Sequence, residues 1–511
     1  MLLNGKKGIS SRYKRKVMKN KTIHARAFFL TAVFLMTLVC TAFAQRVLTL
    51  EEALSVAAVN SPEIRRSQLN LNRSRELLNA TQSQLKSNLS LVLTPIEYNQ
   101  SRQFNDLFST WYTNENYTWY GTLAVRQPIV LTDGTLTLSN RLSWQNAYSG
   151  YQDVRTKAYT NNIWLAYNQP LFTYNRTKLS LSELELALED AALSHSLQQL
   201  NLERQVTGAF YDVYREQERL VIAREEYENQ QQNYAIIKAK AESGLIAREE
   251  LFQAEVNLAN SNSSWQNQDV VVENIKDDFK ILLGLSLMEN ISVQANIRPV
   301  KTEVELDKAI EHALRSRQEI RQREIDLVYA ENDIIRASAT NEFRGDLSLA
   351  LGIFGDDPVL PEVYQNPTNS PRVSLSFNIP LWDWGERKSR IRAAEAMVQS
   401  REISMSDQQN DIVYNIRRIY RNLINLENQI VIAGQSQRNA QLTYEINLER
   451  YQNGDLTGME LNQYQNQLSQ ARMDMVSAQI NYQMELLNMK IQSLWDFEAN
   501  RSVVPDEVQN K

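Results

Sequence analysis

The chain contains the same unit twice, and that duplication constrains the fold more than any single residue does. Ala53-Leu54 through Glu63-Ile64 reads like Ala309-Ile310 through Glu319-Ile320, at a shift of 256. Gln169-Pro170-Leu171-Phe172 answers to Ile379-Pro380-Leu381-Trp382 at a shift of 210. Tyr234 through Gly244 to Leu251 answers to Tyr444 through Gly454 to Leu461 at the same 210. An unchanged shift means no net insertion, so both copies keep one helix length. The two shifts differ by 46, which places an insertion in the first copy between about 94 and 165.

Each copy reads helix, strand, strand, long helix, helix. Residues 171–298 and 381–504 contain no Pro, and heptad-like apolar spacing runs through both. In the first copy Leu193, Leu197, Leu200 and Leu202 give way to Val206, Phe210 and Val213. Uncapped periodicity of this length predicts a coiled coil or helical hairpin. Lys178 to Ser243 and Lys388 to Asn453 are each 66 residues, about 100 Å of helix at 1.5 Å per residue. Gly244 and Gly454 then supply the C-cap that reverses the chain into a second helix. Two very long antiparallel hairpins are expected.

The strands alternate. Leu347, Leu349, Leu351 and Ile353 interleave with Ser348, Ala350 and Gly352, and Val373, Leu375, Phe377, Ile379 and Leu381 with Ser374, Ser376, Asn378 and Pro380. Leu89, Leu91 and Leu93 repeat the pattern in the first copy. Period two with small polar partners predicts a wall with one oily and one wet face. The insertion adds two candidate strands, Thr122 to Val130 and Thr135 to Trp144, around an Asp133-Gly134 turn signal. Aromatics crowd there: Phe104, Phe108, Trp111, Tyr112, Tyr117, Trp119 and Tyr120, then Trp144, Tyr148, Tyr151, Tyr159, Trp164 and Tyr167. Such amphipathic rings favour a membrane–water interface, and a soluble β-sandwich core is the competing reading.

The amino terminus reads as an export signal. Nine Lys and Arg precede the apolar run Ala27 to Phe43, which ends in Ala42-Phe43-Ala44. A charged region, a short apolar region and A-x-A predict cleavage before Gln45 rather than a membrane anchor. Met18 is a second candidate start. Val39 precedes Cys40 where a lipoprotein signal needs a small residue, so Cys40 is expected to leave with the signal. The expected organisation is signal 1–44, first repeat 45–298, second repeat 299–500 and a polar tail 501–511.

Beyond Ala44 no apolar run approaches the roughly 18 residues of a membrane helix. Entry into a membrane would therefore require a β-barrel. The second copy supplies two strands and the first two to four. Four to six strands cannot close a barrel, since the smallest membrane barrels use about eight. An unpaired edge in lipid costs several kcal/mol per backbone group. Strands from several chains must share one barrel, and three chains with four each would give about twelve.

Charge and composition remove other classes. The formal net charge is −5, and the basic leader leaves the remainder about −14, which argues against a nucleic-acid partner. One Cys and three His exclude a Cys-based zinc site, a disulfide framework and an iron–sulfur cluster. His195 and His312 lie far apart with no Cys or His beside them, and no Gly-rich phosphate loop is present. No enzyme, cofactor or metal is expected.

The ordered set resembles the TolC-like outer-membrane efflux protein family over nearly the whole mature chain. Its supports are the duplicated helix–strand–strand–helix unit, Asn168-Gln-Pro-Leu-Phe172 and Asn378-Ile-Pro-Leu-Trp382 at the strand-to-helix joints, and Tyr451-Gln-Asn-Gly454 followed by Glu460-Leu461 at the tip. The resemblance implies a mainly α homotrimer with a shared outer-membrane β-barrel of about twelve strands above a long periplasmic α-barrel. It implies a passive exit duct for efflux or type I secretion, docked on a periplasmic adaptor and an inner-membrane pump of the RND, ABC or MFS type. By position it carries a periplasmic gate onto Tyr451, Glu250 and Glu460. A second acidic position of the family is Gln463 here, and a basic one is Leu456, so the inter-helix lock departs from the family's pattern unless Arg248 replaces it. For Glu250 and Glu460 the competing reading is a solvated helix start, where acids favour the dipole. Adaptor docking falls on the exposed tips: Gly244 and Leu245 in the first copy, Gly454, Asp455, Leu456 and Thr457 in the second. The alternative function is a periplasmic coiled-coil scaffold or adaptor without a pore, which would not need the alternating strands or the aromatic cluster. An outer-membrane enzyme would need a convergent polar pocket, and none is visible.

Overall fold

A computed structural model of the chain describes residues 46–297 and 301–503. The export signal, its cleavage point, Met18, Cys40 and the end of the polar tail lie outside the described residues.

In the first repeat, strand β1 (Arg46–Leu48) leads to helices α1 (Leu50–Asn60) and α2 (Pro62–Gln84). Four long strands follow: β2 (Asn88–Asn105), β3 (Thr110–Ile129), β4 (Gly134–Ser149) and β5 (Val154–Leu171). The chain then enters helix α3 (Arg176–Glu242), turns into α4 (Arg248–Leu283) and closes with β6 (Ile291–Val293), which pairs parallel with β1. The second repeat has α5 (Leu306–Ser316), α6 (Gln318–Ser338), β7 (Arg344–Asp357), a short 3₁₀ turn (Leu360–Tyr364), β8 (Thr368–Asn378), α7 (Glu386–Asn453) and α8 (Gly458–Ser493). Two short strands, β9 (Trp495–Asp496) and β10 (Arg501–Ser502), finish it.

The long helices are as the sequence predicts, 67 and 68 residues in α3 and α7, or about 100 Å each. Each starts on a side-chain acceptor. Asn175 accepts from the Lys178 backbone N–H at 2.7 Å, and Asp383 accepts from Gly385 at 2.9 Å and Arg387 at 3.1 Å. Helix α3 is paired along its length by two shorter helices, α2 in the half near the strands and α4 in the half beyond. Helices α6 and α8 do the same for α7. Where the paired helices meet, the apolar residues thicken into a core per repeat. One is built on Leu48, Ala53, Val206, Phe210, Phe279 and Leu283, the other on Ala309, Ile412, Ile416, Leu486 and Met489. Burying a side chain of this size is worth about 1.5–3 kcal/mol, so these two collars dominate the cohesion of thin helical rods. The repeats join through α3 against α6 and α8. Ion pairs set that register: Glu203–Lys490 at 3.2 Å and Glu225–Arg472 at 2.8 Å. Such exposed pairs contribute about 1 kcal/mol or less each.

The six long strands form one antiparallel sheet in the order β2-β3-β4-β5-β7-β8. The first repeat thus supplies four strands, the upper end of the sequence-based range. The four per chain behind a twelve-stranded barrel are exceeded, because the insertion forms two further strands within the sheet. Those strands, β3 and β4, outrun the expected Thr122–Val130 and Thr135–Trp144. Their distal halves mix aromatic and polar residues on both faces and lack the apolar–polar alternation that reveals a strand. Among the described residues no helix is long and apolar enough to cross a membrane, while the sheet has the two-faced chemistry of a barrel wall. One face aligns Leu91–Leu123, then Val125–Leu138–Leu165–Leu351, then Tyr167–Leu349–Val373 across successive strands. The other aligns Ser90–Ala124–Ser139 and Asn168–Ser348–Ser374.

Aromatic rows bracket the oily face. At the distal side Tyr98 meets Tyr117 at 4.5 Å between ring centroids and Trp119 meets Tyr159 edge-on at 6.3 Å. At the helix side Phe343 lies 5.3 Å from Phe172 and 5.6 Å from Phe377. Tyr159 and Phe172 stand about 30 Å apart in height at 3.3 Å per residue and a tilt near 40°. A barrel's lipid-facing band is about 25 Å tall.

Candidate functional site: the helical tips and the polar face of the sheet

Both tips are built by the same backbone device. Gly244 has φ +75° and Gly454 has φ +89°, a region that side chains with a Cβ strain to enter. With glycine there the chain closes a Schellman turn. Leu245 N–H donates to Lys240 O and Asp455 N–H donates to Arg450 O, both at 2.9 Å. The returning helices differ. Thr457 caps α8 in a full capping box: its hydroxyl accepts from Glu460 N–H at 3.3 Å, and Glu460 Oε2 accepts from Thr457 N–H at 2.9 Å and Thr457 Oγ1 at 2.8 Å. In α4 the equivalent cap is Ala247, which offers no side-chain acceptor.

This geometry assigns different surroundings to the three gate candidates. Glu460 folds back onto its own helix start, and the Thr457 backbone N–H holds its carboxyl below the usual glutamate range. Glu250, in the first turn of α4, stays exposed. Burial pushes the Tyr451 phenol pKa up, and the nearby Glu250 carboxylate adds to the rise. Tyr451 is only 6% exposed and fills the seam between the two tips. Lys240 Nζ sits 5.6 Å from its ring centre, and a Cβ at Gly458 would lie 3.8 Å from the Tyr451 ring and 3.6 Å from Ile237. Tyr451 therefore ties α3, α4 and α8 together within one chain. Glu250 and Glu460 occupy equivalent positions on two separate tips and make no contact with each other. Arg248 makes no ion pair among the described residues, and Gln463 lies in an open groove with Met459, Asn466 and Gln467.

The docking candidates divide by exposure. Leu245 is 75% exposed and Met459, absent from the sequence-based set, is 76% exposed. Gly244, Gly454, Asp455 and Thr457 are also exposed, while Leu456 is half-buried. The tips thus present two bare apolar side chains amid polar turns.

Sequence reasoning placed the strand-to-helix joints but missed the residue that seats the first of them, Asp133. The turn 130–133 between β3 and β4 seats the start of α3. Asp133 accepts from the Thr177 backbone N–H at 3.1 Å, the Thr177 hydroxyl at 2.5 Å and the Arg176 N–H at 3.4 Å. Asn175 Nδ2 donates to Val130 O at 2.6 Å. The Asp-Gly pair was legible as a turn, but its partner 44 residues downstream was not.

The polar face carries a second set with no sequence signal. Arg126 and Arg372 lie on one hydrogen-bonded row that runs through Thr137, Ala166 and Ala350. Arg141 lies two repeats of the pleat pattern farther out on the same face, opposite Thr122. Arg141 stacks on Tyr120 at 3.8 Å and Arg372 on Trp164 at 5.4 Å. None of the three forms an ion pair among the described residues.

His195 bonds Ser67 Oγ at 2.9 Å and His312 packs on Trp495 at 4.3 Å, so both histidines serve packing. Among the described residues no group of His, Cys, Asp and Glu is arranged to hold a metal ion.

Residues 309–490 match the family model described as outer membrane efflux protein. The CmeC outer membrane channel of Campylobacter jejuni aligns with a TM-score of 0.67 at 14% identity, covering 90% of this chain and 88% of that one. The chain has the TolC-like outer membrane efflux fold. The Vibrio cholerae outer membrane protein VceC aligns with a TM-score of 0.63 at 13% identity, covering 87% and 96%. The open-state MtrE outer membrane channel of Neisseria gonorrhoeae aligns with a TM-score of 0.60 at 14% identity, covering 87% and 88%. No curated protein matches by sequence. The resemblance drawn from the duplicated unit, the strand-to-helix joints and the tip is borne out. The efflux-family match falls within the second copy.

Proposed function

We propose that the protein is the outer-membrane exit duct of a tripartite efflux or type I secretion system, a passive conduit from periplasm to exterior. One observation carries the reading. A single open sheet, oily and aromatic-banded on one face and polar on the other, stands on helices about 100 Å long. The oily face suits lipid, the polar face suits a water-filled lumen, and the helices have the reach to extend far into the periplasm. The family is one of channels rather than enzymes, and the conduit requires no chemistry of its own. The working unit is a homotrimer, with repeats at 45–298 and 299–500. Its partners are a periplasmic adaptor and an inner-membrane pump of the RND, ABC or MFS type.

Gating is assigned to Tyr451, Glu250 and Glu460, and docking to Gly244, Leu245, Gly454, Asp455, Leu456 and Thr457. The exposure of Leu245 and the bare turn geometry support the docking role, and the buried bridge made by Tyr451 supports a latch between tips. Two measurements test the proposal. Membrane fractionation should yield detergent-requiring, heat-modifiable trimers that form pores in planar bilayers; freely soluble protein would refute the duct. Gly454→Pro or Leu245→Trp should weaken capture of the adaptor while trimers still form, and undiminished capture would remove the tips from docking.

A further inference from the structure

The insertion in the first repeat is built into the sheet, with β3 and β4 between β2 and β5. Strand β3 ends in Gln127-Pro128-Ile129 and β5 ends in Gln169-Pro170-Leu171. The likeness extends back at one constant offset: Leu123-Ala124 answers to Leu165-Ala166, and Tyr117-Thr118 to Tyr159-Thr160. The two glutamines do the same work. Gln127 Nε2 donates to Leu85 O at 3.0 Å and Pro128 O at 2.7 Å. Gln169 Nε2 donates to Thr132 O at 2.6 Å and Pro170 O at 2.8 Å. Each pins the strand end to the connection beneath it. The pair β2-β3 is thus followed by a second pair, β4-β5, of the same construction. The oily row Leu89–Val125–Leu138–Leu165 passes through β3 and β4 without a break.

Two edges of this sheet remain unpaired within the chain, β2 on one side and β8 on the other. Strand β2 leaves the helices and β8 returns to them, so their directions are opposite. The two edges are antiparallel-compatible between identical copies, and their oily faces are on the same side. Lipid offers an unpaired backbone group no hydrogen-bond partner, and only closure removes both edges.

We propose that β8 of one copy pairs with β2 of the next, so that each copy contributes six strands to the pore. This rests on the trimeric duct reading, and with three copies of a six-stranded sheet the wall has eighteen strands rather than twelve. Barrel diameter grows roughly linearly with strand number, so at equal tilt this pore is about one and a half times as wide as a twelve-stranded one. The partner on both edges is a second copy of this chain.

Cysteine cross-linking in outer-membrane vesicles tests the seam. In a Cys40→Ser background, Asn88→Cys, Ser90→Cys and Val92→Cys on β2 are each combined with Ser370→Cys, Ser374→Cys or Ser376→Cys on β8. Several combinations cover the unknown register and any variant that folds poorly. The double variant Ser348→Cys with Ser374→Cys, neighbours within one chain, controls for oxidation. The expected result is a ladder of dimers and trimers on non-reducing gels from at least one combination and from no single variant. Heat-modifiable trimers with a working control but no ladder from any combination would overturn the seam alone. So would a ladder linking β8 to Ser143→Cys on β4, since that would leave β2 and β3 outside the wall. Protein recovered soluble without detergent would instead overturn the duct reading beneath it.

Discussion

Glu460 and Glu250 occupy the same place in two copies of one turn, yet they do different things. Glu460 is the acid of a capping box, and Thr457 N–H holds its pKa below the ordinary glutamate value of 4.5. A carboxylate depressed in the folded state adds stability above its unfolded pKa and loses it as pH falls through the folded value. Protection factors of the amides at the start of α8 should therefore hold steady from neutral pH down to the ordinary glutamate range and fall below it. Glu250 has no such partner and faces the buried Tyr451 hydroxyl. Glu460→Gln keeps an acceptor for the cap, so it should leave tip structure intact. If the acids ring a pore, Glu250→Gln and Glu460→Gln together should reduce cation block in planar bilayers. Identical traces would return both residues to ordinary helix-surface roles.

At the scale of elements, the change from sheet to helix comes where strand pairing stops and α3 begins. Unsatisfied N–H groups at a helix start need acceptors, and Asp133 supplies them from the far side of the turn 130–133. Hydrogen bonds to a charged acceptor are worth about 1.5–3 kcal/mol each. Asp133→Ala should lower the unfolding temperature of the detergent-solubilised protein, while Asp133→Asn, which retains one carbonyl acceptor, should lose less. Equal melting of both variants and the parent would show that the turn does not hold the joint. The added strands thus do more than extend the sheet, since their turn carries the acceptor for the long helix.

For the whole molecule, the charge of the wet face is the property most open to measurement. Arg126, Arg141 and Arg372 line it without acidic partners, although the protein as a whole is acidic. The nearest acids on that face are at its two ends. Asp346 pairs with Arg344 at 3.3 Å near the helices, and Asp356 stands at the distal rim opposite Thr160. Rings of fixed cations favour anions. Replacing the three arginines with glutamine should shift the reversal potential in a KCl gradient toward cation selectivity. An unchanged reversal potential in the triple variant would mean that ions are selected elsewhere, at the tips.

The amino-acid sequence by itself determined the elements whose signals are local or periodic. The Pro-free heptads of α3 and α7, the tip glycines, the leucine alternation of β7 and β8 and the duplication were all legible, because each depends on residues a few positions apart. So was the need for more than one chain, since strand number follows from pattern and the cost of an open edge is general. Tertiary structure alone decided what depends on distant partners. Strands β3 and β4 outgrew their apolar signal because ladder hydrogen bonds to β2 and β5 extend pairing into polar segments. Tyr451 became a bridge because the folded hairpins bring Lys240 of α3 and Gly458 of α8 against it, whereas the Glu460 cap is local, set by Thr457 three residues before it. The arginine band exists only because sheet register puts Arg126 and Arg372 on one row although nearly half the chain separates them.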